Sequence, residues 1–91
     1  MELRISALAR DEIESSKKYY ELQQEKLGDR FESNILKSVK SILNFPYLYP
    51  NVSERVKKLV LHKFPYSIFY SVNDKYVLIL SVAHHHRKPK Y

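Results

Sequence analysis

The chain opens on an alternation, with Leu3 and Ile5 on one side and Glu2, Arg4 and Ser6 on the other, which predicts a short half-buried strand. From about Ala9 the period lengthens. Ala9, Ile13, Ser16, Tyr20 and Leu27 fall on one helical face, and Asp11, Glu12, Glu14, Lys17, Lys18 and Glu21 fill the others. Acids precede lysines along this stretch, as the helix dipole favours. Gly28, the only glycine, is expected at the left-handed position that closes this first helix, where a side chain would clash. Asp29, three residues before Glu32, reads as a capping-box-like start for a second helix, whose apolar face is Phe31, Ile35, Val39, Ile42 and Leu43. Asn44 and Pro46 end it, since proline lacks the amide hydrogen and biases Phe45 away from helix. The segment from Phe45 to Glu54 is too apolar for a free linker, so its aromatics are expected to fold back over a core edge.

Three strands follow, over about 56–63, 66–72 and 76–84. Tyr66, Ile68, Tyr70 and Val72 form one apolar set and Tyr76, Leu78, Leu80 and Val82 another. Joining the two sets requires Tyr70 to stand opposite Leu78, and hence a three-residue connection, Asn73-Asp74-Lys75. On that register the even-numbered residues pack against the helices. The odd-numbered ones, Ser67, Phe69, Ser71, Val77, Ile79, Ser81, Ala83, His85 and Arg87, line an open face with Lys58, Val60 and His62. The expected class is α+β, a strand and a helical hairpin followed by an antiparallel three-strand meander (β-α-α-β-β-β). A partly apolar, basic-rimmed sheet face marks a binding surface.

Ninety-one residues, 44% of them hydrophobic, suit a single domain over 1–91. There is no cysteine, hence neither a disulfide framework nor a thiolate metal site. Neither a signal-like nor a membrane-spanning apolar run is found, which makes the cytoplasm the expected location and excludes a membrane partner. Charge adds more. Residues 1–50 carry eight Lys/Arg and eight acids, whereas 51–91 carry eight Lys/Arg against Glu54 and Asp74, so the whole excess of +6 lies in the second part, with all four histidines. A polyanionic partner, nucleic acid or acidic protein, fits that asymmetry, as does plain solubility.

The element order, together with Phe64-Pro65-Tyr66, then Ile68 and Tyr70, then Val82-x-His84-x-x-Arg87-x-Pro89 and a terminal aromatic, resembles the RelE/ParE superfamily of bacterial toxins from type II toxin–antitoxin pairs. The resemblance spans essentially the whole chain. The His84-x-x-Arg87-x-Pro89 ending is similar to the ParE branch, whose members poison DNA gyrase. The RelE branch cleaves messenger RNA on the ribosome. The resemblance implies a cognate antitoxin as partner, with a homodimer as another way of covering the open face. On the ParE-like reading it implies contacts to gyrase through Lys57, which stands where that branch usually has arginine, and through His84, Arg87 and Pro89. On the RelE-like reading the partners are the ribosome and mRNA. Lys58 is kept from that branch's cation group, Val60 and Ser67 stand where two others would be, and Tyr91 takes the place of a catalytic tyrosine.

RNA cleavage through the 2′-hydroxyl needs a base, an acid and a cation for the developing charge. His85, Tyr91, Arg87 and Lys58 supply such groups without metal or other cofactor, and a histidine with an ordinary pKa of about 6.5 serves as either base or acid. Whether the chain is an enzyme, a metal-independent endoribonuclease, therefore stays open. The plainer alternative is a polar strand end of solvated histidines. Adjacent histidines on a strand alternate, so His84 and His86 project opposite to His85, and with Arg and Lys as neighbours no metal site is expected. A third reading is a non-toxic nucleic-acid-binding module using Lys58, His62 and Phe69, the last as a stacking platform.

Overall fold

The computed structural model describes residues 1–86. Arg87, Pro89 and Tyr91, to which the sequence reading gave contact or catalytic roles, lie outside the described residues. The elements are β1 (Glu2–Ile5), α1 (Ala7–Gln23), α2 (Leu27–Asn44), β2 (Asn51–Ser53), β3 (Val56–Val60), β4 (Tyr66–Val72) and β5 (Tyr76–His84). They form one five-stranded sheet in the order β1-β5-β4-β3-β2. β1 runs parallel to β5 and the other pairs are antiparallel. The expected α+β architecture is therefore present, with β2 added at the far edge by the segment read as a plain connection.

Ser6 turns β1 into α1. Its hydroxyl oxygen accepts the Ala9 amide at 3.0 Å, which caps the helix, and its hydroxyl donates to the Leu80 carbonyl at 2.9 Å, which ties the junction to β5. The helices bury the faces their spacing predicts: Ala9 and Ser16 on α1, and Phe31, Ile35, Val39 and Ile42 on α2. Ile13 and Tyr20 pack against the same core.

The hairpin between them differs from expectation. α1 ends at Gln23, and the left-handed residue is Lys26 with φ 70°, while Gly28 lies inside the first turn of α2. Glycine is needed there for close approach: a Cβ would stand 2.6 Å from the Lys17 carbonyl oxygen. Nor do Asp29 and Glu32 form a capping box. The Glu21 carboxylate of α1 caps α2 instead, accepting the Lys26 amide at 2.9 Å and the Gly28 amide at 3.0 Å. Glu32 pairs with Lys17 at 3.1 Å, and that contact raises the Lys17 pKa. Past α2, Tyr49 packs on the core and Lys57 Nζ donates to its carbonyl at 3.1 Å, but Phe45 and Tyr47 remain exposed rather than folding over the core.

The register of β4 and β5 holds a second correction. Tyr66, Ile68 and Phe69 stand opposite His84, Val82 and Ser81, which joins even-numbered residues to even-numbered ones as expected, but two residues further along β5 than Tyr70 opposite Leu78 would place them. Beyond a shift between Phe69 and Tyr70, however, Tyr70 faces Ile79, Ser71 faces Leu78 and Val72 faces Val77. Leu80 is the extra residue of a bulge. Its origin is the turn: Asn73 Oδ1 accepts the amides of Lys75 at 2.8 Å and Tyr76 at 2.9 Å, and the Asn73 amide donates to the Tyr76 carbonyl. This tightens the connection to Asp74-Lys75 and offsets the register by one. Val77 and Ile79 therefore enter the core, and Leu78 and Leu80, expected there, are half-buried away from it. Tyr76 is likewise outside the core, with the Arg4 guanidinium 4.0 Å over its ring.

Candidate functional site

β5 carries the chain to the histidine cluster. Because Val82 and Tyr66 face the helices, His84 does too: its ring meets Tyr66 edge-on at 5.1 Å and lies 5.2 Å from His86. The His86 amide donates to His84 Nδ1 at 3.1 Å, so a neutral His84 ring holds its proton on Nε2. His85 is exposed, and its amide donates to the Pro65 carbonyl at 2.8 Å, which extends the ladder past the end of the strand. Among the described residues no group of three His, Cys, Asp or Glu could hold a metal.

Beside this end, α1 and β5 enclose a groove of about 630 Å³, whose lining includes Asp11, Glu12, Tyr19, Tyr66, Val82 and His84. Glu12 is the structural link. Its Oε1 accepts the Ser81 hydroxyl at 2.8 Å and the Val82 amide at 2.9 Å, beyond the point where β1 stops pairing with β5. Ser81, expected on the open face, is fully buried by this contact. Sequence reasoning missed Glu12. The available signal was its position between Ala9 and Ser16, which turns an acid partly inward on an otherwise well-read helix.

The other predicted site residues are dispersed. Lys57 stands opposite Tyr70 on β4 and His84 opposite Tyr66, four positions apart, which is about 13 Å along the strands and about 10 Å across them. Lys57 Nζ is also held by Asn51 Oδ1 at 2.7 Å. On the opposite face Lys58 Nζ lies 5.7 Å from the centroid of the Phe69 ring. Phe69 is only 7% exposed, which leaves little of its ring open for the stacking role expected of it. His62 is exposed past the end of β3. Val60 is exposed and Ser67 is buried, with no partner for its hydroxyl among the described residues.

No helix among the described residues is long and apolar enough to cross a membrane. Residues 3–89 match the family model described as the ParE toxin of the type II toxin–antitoxin system, parDE. Among solved structures, the chain is similar to one from the "Chromosomal ParDE TA system from P. aeruginosa", at TM-score 0.81 and 19% identity, over 92% of this chain and 95% of that one. At that identity the likeness shows the fold. No curated protein matches.

Proposed function

Because the chain belongs to the ParE family of toxins of type II toxin–antitoxin systems, we propose that it arrests growth in the cytoplasm by binding DNA gyrase and that a cognate antitoxin neutralises it. The observation that carries this reading is the family match over residues 3–89, which runs through the ending His84-x-x-Arg87-x-Pro89. The contact region we assign is that ending, with Lys57 as a separate contact on the far strand.

The open face supports inhibition by binding rather than RNA cleavage. Each charge aimed at a transition-state phosphate is worth about 3–4 kcal/mol. At two positions where a ribonuclease of the superfamily would place cations, this chain has the exposed Val60 and the buried Ser67. His85, exposed beyond the strand, and Lys58, beside Phe69, are the described groups that favour the ribonuclease alternative.

Supercoiling by purified gyrase and cleavage of messenger RNA on programmed ribosomes, each with wild type, His84→Ala and His85→Ala, separate the two. The expected outcome is inhibited supercoiling, weakened by His84→Ala, with messages intact. Cleavage of ribosome-bound message that disappears in His85→Ala would overturn this reading and make His85 catalytic.

A further inference from the structure

The groove between α1 and the end of β5 has the opposite charge character to the molecule that carries it. The protein bears a net +6, yet Asp11 and Glu12 line this groove and, among the described residues, no Lys or Arg does. Neither acid forms an ion pair among the described residues. Glu12 is also fixed in place. Both of its donors, Ser81 and Val82, bond to Oε1, which leaves Oε2 without a donor among the described residues. Asp11 is exposed one residue earlier at the mouth. Tyrosine rings form the walls, including Tyr19, which is 56% exposed.

A held carboxylate at the base, a second at the rim and aromatic walls between them suit a planar, weakly hydrated cation. A guanidinium can lie on an aromatic face while its fork donates to a carboxylate, whereas a compact ammonium is more strongly hydrated and cannot stack in that way. The surface beside the groove fits a longer partner. Leu22, 86% exposed, sits three residues from Tyr19 on the same side of α1 and extends the groove with apolar area.

We propose that this groove is a binding site for an arginine side chain of the cognate antitoxin, with neighbouring apolar residues of the antitoxin lying over Tyr19 and Leu22. The assignment of the occupant rests on the reading of this chain as an antitoxin-partnered toxin; the site's preference for a guanidinium does not. A partner drawn to a cationic protein is expected to be acidic overall, and this groove is where one of its cations meets complementary charge.

The test has two arms. In the first, isotope-labelled protein is titrated with N-acetyl-arginine N-methylamide and with the uncharged citrulline analogue. Saturable shifts of the Val82 and Ala83 amides are expected with the arginine compound only, weakened at least fivefold by Asp11→Asn and by Glu12→Gln. Glutamine keeps the carbonyl acceptor for Ser81 and Val82, and Asp11 bonds to no strand, so loss of binding does not reduce to loss of fold. Equal response to citrulline, or shifts scattered without saturation, would overturn the site. In the second arm, calorimetry follows binding of a cognate antitoxin, sought as a short reading frame adjoining this gene. Each substitution is expected to weaken the complex tenfold or more. A wild-type complex indifferent to both substitutions overturns this proposal alone, and the absence of any wild-type complex overturns the functional reading with it.

Discussion

Replacing Gly28 by alanine tests the helical hairpin, because two local effects oppose each other and the structure says which wins. Gly28 has no positive φ and sits in the first turn of α2, where alanine is favoured by about 1 kcal/mol in intrinsic helix propensity. Against this, the added Cβ would stand 2.6 Å from the Lys17 carbonyl oxygen, 2.9 Å from Glu21 Oε1 and 3.1 Å from Glu21 Cβ. The first of these is backbone in the middle of a helix and cannot swing away. Separating α1 from α2 enough to admit the methyl costs about 1–3 kcal/mol in overpacking strain. The same separation lengthens the Glu21 bonds to the Lys26 and Gly28 amides, a cap worth about 1 kcal/mol.

The net is a loss of about 1–3 kcal/mol, or roughly 5–20 °C in Tm for a domain of this size. Urea and thermal unfolding followed by circular dichroism, on wild type, Gly28→Ala and Gly28→Asn, read it directly. The rank order discriminates. A glycine at a left-handed helix end tolerates asparagine better than alanine. A glycine required by close approach tolerates the smaller residue better, so the expected order of stability is Gly, Ala, Asn. Equal or higher stability of Gly28→Ala would refute the close-approach account, and asparagine outranking alanine would restore the left-handed one.

Two further outcomes follow from single side chains. The Tyr70 hydroxyl donates to the Pro46 carbonyl at 2.7 Å, so Tyr70→Phe should cost about 1–2 kcal/mol in urea unfolding, with no loss expected only if water replaces the donor. Burial, with the nearby Tyr49, pushes the Tyr70 phenol up from 10.0 to about 12. The folded state therefore favours the neutral form: its contribution to stability is complete below pH 10 and is lost as pH rises toward 12, and ultraviolet titration should show one late tyrosine that is missing in Tyr70→Phe. The Ser67 hydroxyl is buried without a partner among the described residues, so Ser67→Ala should be neutral or stabilising by up to about 1 kcal/mol, and a marked loss of stability would show that the hydroxyl is bonded after all.

What the sequence made legible was whatever depends on periodicity. The buried faces of α1 and α2, the bounds of β4 and β5 and the helix-facing residues Tyr66, Ile68 and Tyr70 all follow from spacing alone. What it hid depends on contacts between elements. Gly28 looks like a helix terminator because the carbonyl it must clear, that of Lys17, is eleven residues back on another helix. β2 has only three residues, all exposed, and leaves no apolar alternation to read. Phe69 and Ser67 belong to the face away from the helices, and alternation says only which side they take, not how deeply they are covered. The same holds for the candidate site: the histidines were visible as a run, whereas the groove beside them needed Glu12 and Ser81, 69 residues apart, to be in contact.

The bulge at Leu80 connects these failures to function. With the tight Asp74-Lys75 turn and an unbroken ladder, every pair would follow Val72 opposite Val77, and Val82 and His84 would face away from the helices. One extra residue restores the other register, places Val82 opposite Ile68 and brings the His84 ring against Tyr66 at the groove. A bulge disturbs the ladder with β4, and just past it the other edge of β5 also loses its strand partner where β1 ends; Ser6 and the start of α1 supply partners there. Ser6 donates to the Leu80 carbonyl, and Glu12 accepts the Val82 amide together with the Ser81 hydroxyl. The first helix thus holds the far end of the last strand at the one place where that strand changes face. Residues 84–86 are held directly by the Pro65 carbonyl and the Tyr66 ring, and Ser6 and Glu12 hold the strand segment just before them, so a change at either side chain is expected to reach the histidines through β5.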